Sequence, residues 1–269
     1  MGLFRKLFGN TKDHRAPVIE ISVTGPEISN QNRKFNFDIP EVQELPKSEV
    51  TNAPPPPGPS YPFCPYCGVE VEPPPQRQRR CPHCAETFKV RTWPWTDEKI
   101  LVTESQVELV EQAWADRNIE QSIRISATHI DVTDPHWDRV TQVLTAEWGA
   151  LPSTRDIFWR AASIQLEKRG VREDWHGMSQ IYREMATVQS LIGSDNMLSL
   201  QLANQVEAEG HRADGWDELV IFADCCEPCD EDDQVSISVT SAIDSNRLPH
   251  QKCEREQCRC FYGANVMRD

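Results

Sequence analysis

The sequence predicts a mainly α protein: a central helical bundle or hairpin array between two small cysteine-bearing β modules, behind a disordered N-terminal segment. Three observations predict it. Capped, amphipathic segments of helical length run through residues 97–213 and nowhere else. The ten cysteines fall into two groups, one on each side of that stretch. Thirteen of the twenty prolines lie between Pro40 and Pro82, where no packed core can form. The expected divisions are 1–60 (tail and proline-rich linker), 61–95 (first cysteine module), 96–213 (helical domain) and 214–269 (second cysteine module).

Residues 1–16 place Leu3, Phe4, Leu7 and Phe8 on one face of a short helix, with Arg5 and Lys6 opposite. A two-turn helix is unstable alone, so this reads as a tail that orders only against a partner. Gly2 is not followed by the Ser or Thr that an N-myristoylation start requires, since Lys6 stands there. Val18, Ile19, Ile21 and Val23 suit one short strand. The linker ends in Pro54-Pro55-Pro56-Pro57-Gly58-Pro59, a stiff, extended spacer.

The first cysteine group reads Cys64-Pro65-Tyr66-Cys67-Gly68 and, after thirteen residues between the pairs, Cys81-Pro82-His83-Cys84. Two C-x2-C pairs at this separation point to one tetrahedral zinc ion, each pair wrapping an edge. Gly68 suits the positive φ that follows such a pair, and Ala85 departs from it in the second. Thr87 to Trp93 alternates as a strand does. Over residues 61–95 the pattern resembles the zinc-ribbon, or rubredoxin-knuckle, class. That resemblance implies a small metal-stapled β module, used to bind nucleic acid, to bind protein or only to hold a fold. Four thiolates leave no open coordination position, which argues against a catalytic metal. Arg77, Arg79, Arg80, Lys89 and Arg91 make the loop and strand basic. They suit weak, salt-sensitive contacts to nucleic-acid phosphates, with Tyr66 or Trp93 stacking on bases.

Five helices follow. Thr103 and Gln106 form a capping-box pattern that opens a helix through about Arg117, with Val107, Val110 and Trp114 as its stripe. Asp134-Pro135 starts the second, which carries Trp137, Val140, Leu144 and Trp148 and stops at Gly149. The third runs from Ser153 to Gly170. The fourth runs from about Arg172 to Ile192, closed by Gly193, and the fifth from about Asp195 to Glu209. The spacing of Trp175, Met178, Ser179 and Tyr182 resembles the first helix of a tetratricopeptide repeat, but no second copy is visible.

The second group begins after a strand-like run from Trp216 to Ala223. It comprises Cys225, Cys226, Cys229, Cys253, Cys258 and Cys260. The expected ligands of one further zinc are Cys226, Cys229, Cys253 and Cys258, with Cys260 or His250 as substitutes and Cys225 spare. A redox pair at Cys226 and Cys229 competes with that reading, because C-x-x-C alone does not choose. Residues 219–262 resemble the C-terminal region of phage Mu-type head-morphogenesis proteins. The match is carried by Cys226, Cys229, Pro249, His250, Cys253, Cys258, Arg259 and Cys260, and the four residues between Cys253 and Cys258 are a departure. The resemblance implies a small zinc-bearing module of phage-derived origin; it does not imply an activity. The whole arrangement is also similar to uncharacterised bacterial proteins.

Function classes narrow accordingly. The net charge of −14 opposes a protein that coats nucleic acid. Residues 97–233 hold 28 acidic and 11 basic side chains, a net −17. No apolar run approaches the roughly 18 residues of a membrane span, and no export signal precedes the cysteines. His129, His136, His176 and His211 are scattered, and no nucleophile elbow or phosphate-binding glycine loop occurs. The expectation is a cytoplasmic, non-enzymatic, zinc-binding protein with two zinc ions per chain, acting as an interaction or scaffold protein for a protein partner. The alternatives are a nucleic-acid-binding ribbon protein and a phage-derived structural or morphogenesis factor.

Overall fold

The computed structural model describes residues 54–223, 226–245, 247–255 and 258–264. The N-terminal helix, the strand over 18–23 and most of the linker expected above lie outside the described residues. The described residues cluster as one compact unit. The fold is mainly α, with two small antiparallel sheets, one on each side of the helices in chain order.

The first sheet is built from β1 (Arg79–Arg80), β2 (Thr87–Thr92) and β3 (Lys99–Val102), in that spatial order. Its register sets Arg79 opposite Phe88 and Val90 opposite Leu101. Strand β3 lies beyond Trp95, where the ribbon is expected to end. It is reached by a turn in which Asp97 adopts φ +57° and its N–H bonds the Trp93 carbonyl at 2.9 Å. Ile100, Leu101 and Val102 are all buried there. Leu101 faces the cysteine side, whereas Ile100 and Val102 join Trp93, Val110 and Ala113 beneath the first helix. That alternation ties the ribbon to the helices.

The described end of the proline run, 54–60, is not a free spacer. Prolines present carbonyls without N–H groups that need partners. Trp93 Nε1 donates to the Pro54 carbonyl at 3.2 Å and Gln106 Nε2 to that of Pro57 at 2.5 Å. Gly58 passes so close to the Leu101 carbonyl that a Cβ would stand 2.3 Å from its oxygen.

Helix α1 spans Glu104–His129, twelve residues past the expected end at Arg117. No glycine or proline interrupts Asn118–His129, and Ile123, Ser126 and Ala127 continue the buried stripe. The Thr103 and Gln106 capping box opens it as expected. Helices α2 (Asp134–Trp148), α3 (Thr154–Val171), α4 (Trp175–Leu191) and α5 (Met197–Ala213) follow. Gly149 caps α2 in the left-handed region at φ +69°. Ser153 and Asp156 form the α3 capping box. Gly170 and Gly210 lie within α3 and α5, which run past the expected ends at Gly170 and about Glu209.

Helix α3 packs on α1, α2 and α4, and α4 lies along α5. Phe158, Ile181, Leu200, Ala161 and Ala186 are fully enclosed. Each large apolar side chain buried this way contributes about 1.5–3 kcal/mol. Two tryptophans expected in the core lie at the surface instead. Trp148 ends α2, and Trp114 turns its Nε1 to the Thr92 carbonyl at 3.1 Å. Arg169 holds the corner of the helical block by pairing with Asp131 and with Asp174, the N-cap of α4. Gly177 leaves room for that pair, because a Cβ there would overlap the Arg169 guanidinium.

The second sheet has the order β5 (Ser236–Ser238), β4 (Glu218–Phe222), β6 (Phe261–Ala264), all antiparallel. A single turn, α6 (Glu227–Asp230), follows β4, and α7 (Val239–Ser245) follows β5. Helix α5 packs against α7 and β6, and Ala208 of α5 shares the core of Leu219, Ile221, Val239, Leu248 and Tyr262.

Candidate metal centres

The first centre is made of two near-identical turns. In each, the residue four beyond the first cysteine donates its N–H to that cysteine's carbonyl. Gly68 does so to Cys64 at 2.9 Å and Ala85 to Cys81 at 3.0 Å. Each first cysteine then donates onward, Cys64 to Val69 at 3.0 Å and Cys81 to Glu86 at 2.8 Å. Gly68 has φ +70° and Ala85 φ +62°. Ala85 thus holds the conformation for which glycine is the natural residue, and the metal turn is conserved in shape despite the side chain.

These turns bring Cys64, Cys67, Cys81 and Cys84 together, with every sulfur within 4.8 Å of the others. Cys64 Sγ stands 3.8 Å from Cys84 Sγ, and Cys67 Sγ 3.8 Å from Cys81 Sγ. Sulfurs held about 2.3 Å from a tetrahedral zinc are about 3.8 Å apart, so the cage fits that ion. A disulfide needs sulfurs about 2.0 Å apart, which these are not. Val71, Phe88 and Leu101, all fully enclosed, back the cage. The N–H groups of Cys84 and His83 draw the Cys81 thiol down to about 6, against burial. Burial pushes the Cys64 thiol up. Cys84 is drawn down by the Glu86 N–H, but burial and the three neighbouring thiols together push it up to about 12. Four thiols this close cannot all ionise without a cation between them. His83, between the second pair of cysteines, is exposed and lies outside the four-sulfur group.

The basic residues of this module are placed unevenly. Arg77 and Arg80 are exposed. Arg79 donates to the Pro73 carbonyl at 2.8 Å, Lys89 pairs with Glu104 at 2.8 Å, and Arg91 bonds the Val90 carbonyl at 3.0 Å. Trp93 is buried beneath α1 and presents no face for stacking, whereas Tyr66 is exposed.

The second centre has more donors. Cys226 is the N-cap of α6 and Cys229 its buried third residue, with the Cys229 N–H bonding the Cys226 carbonyl at 2.8 Å. Cys226 Sγ lies 3.3 Å from Cys229 Sγ and 3.8 Å from Cys253 Sγ. The Glu254 N–H reaches the same sulfur at 3.5 Å and lowers the Cys226 pKa. Burial raises that of Cys229. The four thiols expected to close one site are divided between two groups. Cys226, Cys229 and Cys253 form one; Cys258 falls in the other, with Cys229, His250 and Cys260. Cys258 Sγ is 4.0 Å from His250 Nδ1. Cys260 and His250, expected only as substitutes, complete a four-donor set. Cys225 lies outside the described residues.

Asp232 is the residue that sequence reasoning missed, because it stands within the acidic run Asp230-Glu231-Asp232-Asp233 and enters above only as part of the net charge. Its Oδ2 is 2.8 Å from His250 Nε2, and its carboxylate also pairs with Arg247. Arg247 first, and then His250, hold the Asp232 carboxyl below its ordinary range. A carboxylate on the far nitrogen of a histidine fixes the ring so that the other nitrogen faces a metal. Only the eighteen-residue return of the chain makes this contact, so no local signal announces it.

These Cys and Cys/His groups can hold metal ions. No helix among the described residues is long and apolar enough to cross a membrane. No protein-family model, curated protein or solved structure matches the chain, so the comparisons give no support to the likeness of its tail to the Mu-type ending.

Proposed function

We propose that the chain is a zinc-binding, non-enzymatic interaction protein of the cytoplasm, whose metal-stapled ends flank a helical platform for a protein partner. The observation that carries this reading is the four-sulfur cage, with two edges of 3.8 Å, the length zinc requires. Four thiolates saturate a tetrahedral ion, so the ion staples a β module too small to fold on its own core. Helix α1 supports the platform. Glu104, Glu108, Glu111 and Asp116 are exposed on it beside Leu109, a surface suited to a partner with basic and apolar groups.

The test is metal analysis of the full chain purified without added metal, with a pull-down from its native host at two salt concentrations. At least two zinc ions per chain are expected, with a protein partner that weakens as salt rises. One zinc would confine the metal to the ribbon. Iron, or a metal-free folded chain, would overturn the reading. Arg77, Arg80 and Tyr66 are the exposed residues that favour the nucleic-acid alternative. That alternative requires binding to single-stranded nucleic acid that vanishes at moderate salt.

A further inference from the structure

We propose that the C-terminal module holds two metal ions bridged by the Cys229 thiolate, making three ions per chain. This inference rests on the zinc reading above and deepens it. Six donor side chains converge: Cys226, Cys229, His250, Cys253, Cys258 and Cys260. They do not form one group. Within 4.8 Å of one another lie Cys229, His250, Cys258 and Cys260 on one side, and Cys226, Cys229 and Cys253 on the other. Cys229 is the only member of both.

One ion cannot serve both groups. Two sulfurs bound to a single zinc at about 2.3 Å can stand at most about 4.6 Å apart, even in a straight line. Among the described residues, no group places Cys253 with His250, Cys258 or Cys260. The four-donor set is already complete for a tetrahedral ion, with three sulfurs and one imidazole nitrogen. His250 is aimed into it by Asp232, which takes the other ring nitrogen at 2.8 Å. The two remaining sulfurs, Cys226 and Cys253, together with the shared Cys229 supply three corners of a second tetrahedron. Its shared corner, Cys229, is fully enclosed, while Cys226 and Cys253 are half-buried. A thiolate has lone pairs for two closed-shell cations. Two dications against five thiolates leave one net negative charge, so the second ion neutralises sulfurs that a lone ion would leave protonated in a shared core. The inner ion is enclosed by Cys229, Cys258 and Cys260, and the outer one is reached from solvent past Cys226 and Cys253.

Native mass spectrometry of the full chain, with a graded zinc chelator, reads the count directly. Three zinc ions are expected, with one lost well before the rest. Cadmium-113 substitution then gives three resonances, two of which split each other through the shared sulfur. Cys253→Ser leaves two ions and abolishes that splitting. Two zinc ions with uncoupled cadmium signals, or three ions retained in Cys253→Ser, would overturn the bridge while leaving the zinc reading intact. One ion, or a chain lighter by two hydrogens with Cys226 bonded to Cys229, would overturn the bridge and confine the metal to the ribbon, and no ion at all would overturn both readings. The cadmium splitting needs no variant, so a Cys253→Ser chain that fails to fold does not remove the test.

Discussion

The two cysteine centres start from the same C-x2-C turn and end as different objects. In the first, both pairs form equivalent turns, and thirteen residues bring one onto the other. Four sulfurs meet and no donor is left over. In the second, one pair sits on a single helical turn, and the other donors arrive from a loop and the approach to β6. There six donors meet, and the cysteines belong to the same apolar core as Leu219, Leu248 and Ala208 of α5. A repeated local turn makes a self-contained staple. A cluster assembled from distant segments becomes part of the core and ties the last long helix to the sheet.

Metal removal breaks this comparison most forcefully. A structural zinc of this kind contributes about 10–16 kcal/mol of apparent binding energy. Stripping metal under reducing conditions is expected to unfold the ribbon, with proteolysis at Arg77, Arg79 and Arg80, while α2 to α4 keep their far-ultraviolet helical signal. A ribbon that stays protease-resistant without metal would show that Phe88, Val71 and Leu101 hold it unaided.

Asp232→Asn probes the feature that distinguishes the second centre. Loss of a carboxylate behind a ligating histidine costs about 10–100-fold in metal affinity. Competition with a chromophoric chelator is expected to show that loss at the C-terminal centre and none at the ribbon. Equal affinity at both centres in the variant would make Asp232 a partner of Arg247 only.

The helical block between the centres should answer to protons rather than metal. The Gly177 N–H, at 2.9 Å, and then Arg169 hold the Asp174 carboxyl below its ordinary value. A depressed carboxyl stabilises the fold above its unfolded pKa of about 3.9, and that contribution is lost as pH falls through the lower folded value. Asp174→Ala is expected to cost about 1 kcal/mol at neutral pH, as loss of an N-cap does. The cost should shrink below about pH 4 and be the same with and without metal. Chemical denaturation at pH 7 and pH 3 checks this.

The smallest effect compares the two turns of the ribbon. Ala85 occupies a left-handed conformation that favours glycine. Ala85→Gly is expected to stabilise the metal-bound ribbon by less than about 1 kcal/mol, because relief of strain outweighs the added freedom of the unfolded chain. Gly68→Ala, where a Cβ meets no neighbour, should cost a similar amount. Thermal melts of the two variants read the difference, and opposite signs are required.

Much of the fold was legible because its signals are local. The capping residues Thr103 and Ser153, the stop at Gly149 and the strand after Cys84 each act within a few residues of themselves. The far half of α1 was not legible: its buried positions Ile123, Ser126 and Ala127 include a polar residue and make a weak stripe. Strand β3 is short and apolar, and its pairing with β2 crosses a turn. Trp114 and Trp148 have the character of core residues, yet their positions are decided by which helix faces meet.

By itself the sequence determined the cage at Cys64, Cys67, Cys81 and Cys84, since a turn geometry used twice at short range needs no help from the rest of the chain. It also determined the helical centre, through periodicity and caps. Tertiary structure alone decided that Cys229 stands between two donor groups, that Cys260 and His250 belong with Cys258, and that Asp232 stands behind His250. Those contacts join residues up to 31 positions apart. Their distances are set by how β4 pairs with β6 and how β6 and α7 pack on α5, and spacing along a chain carries no record of that packing.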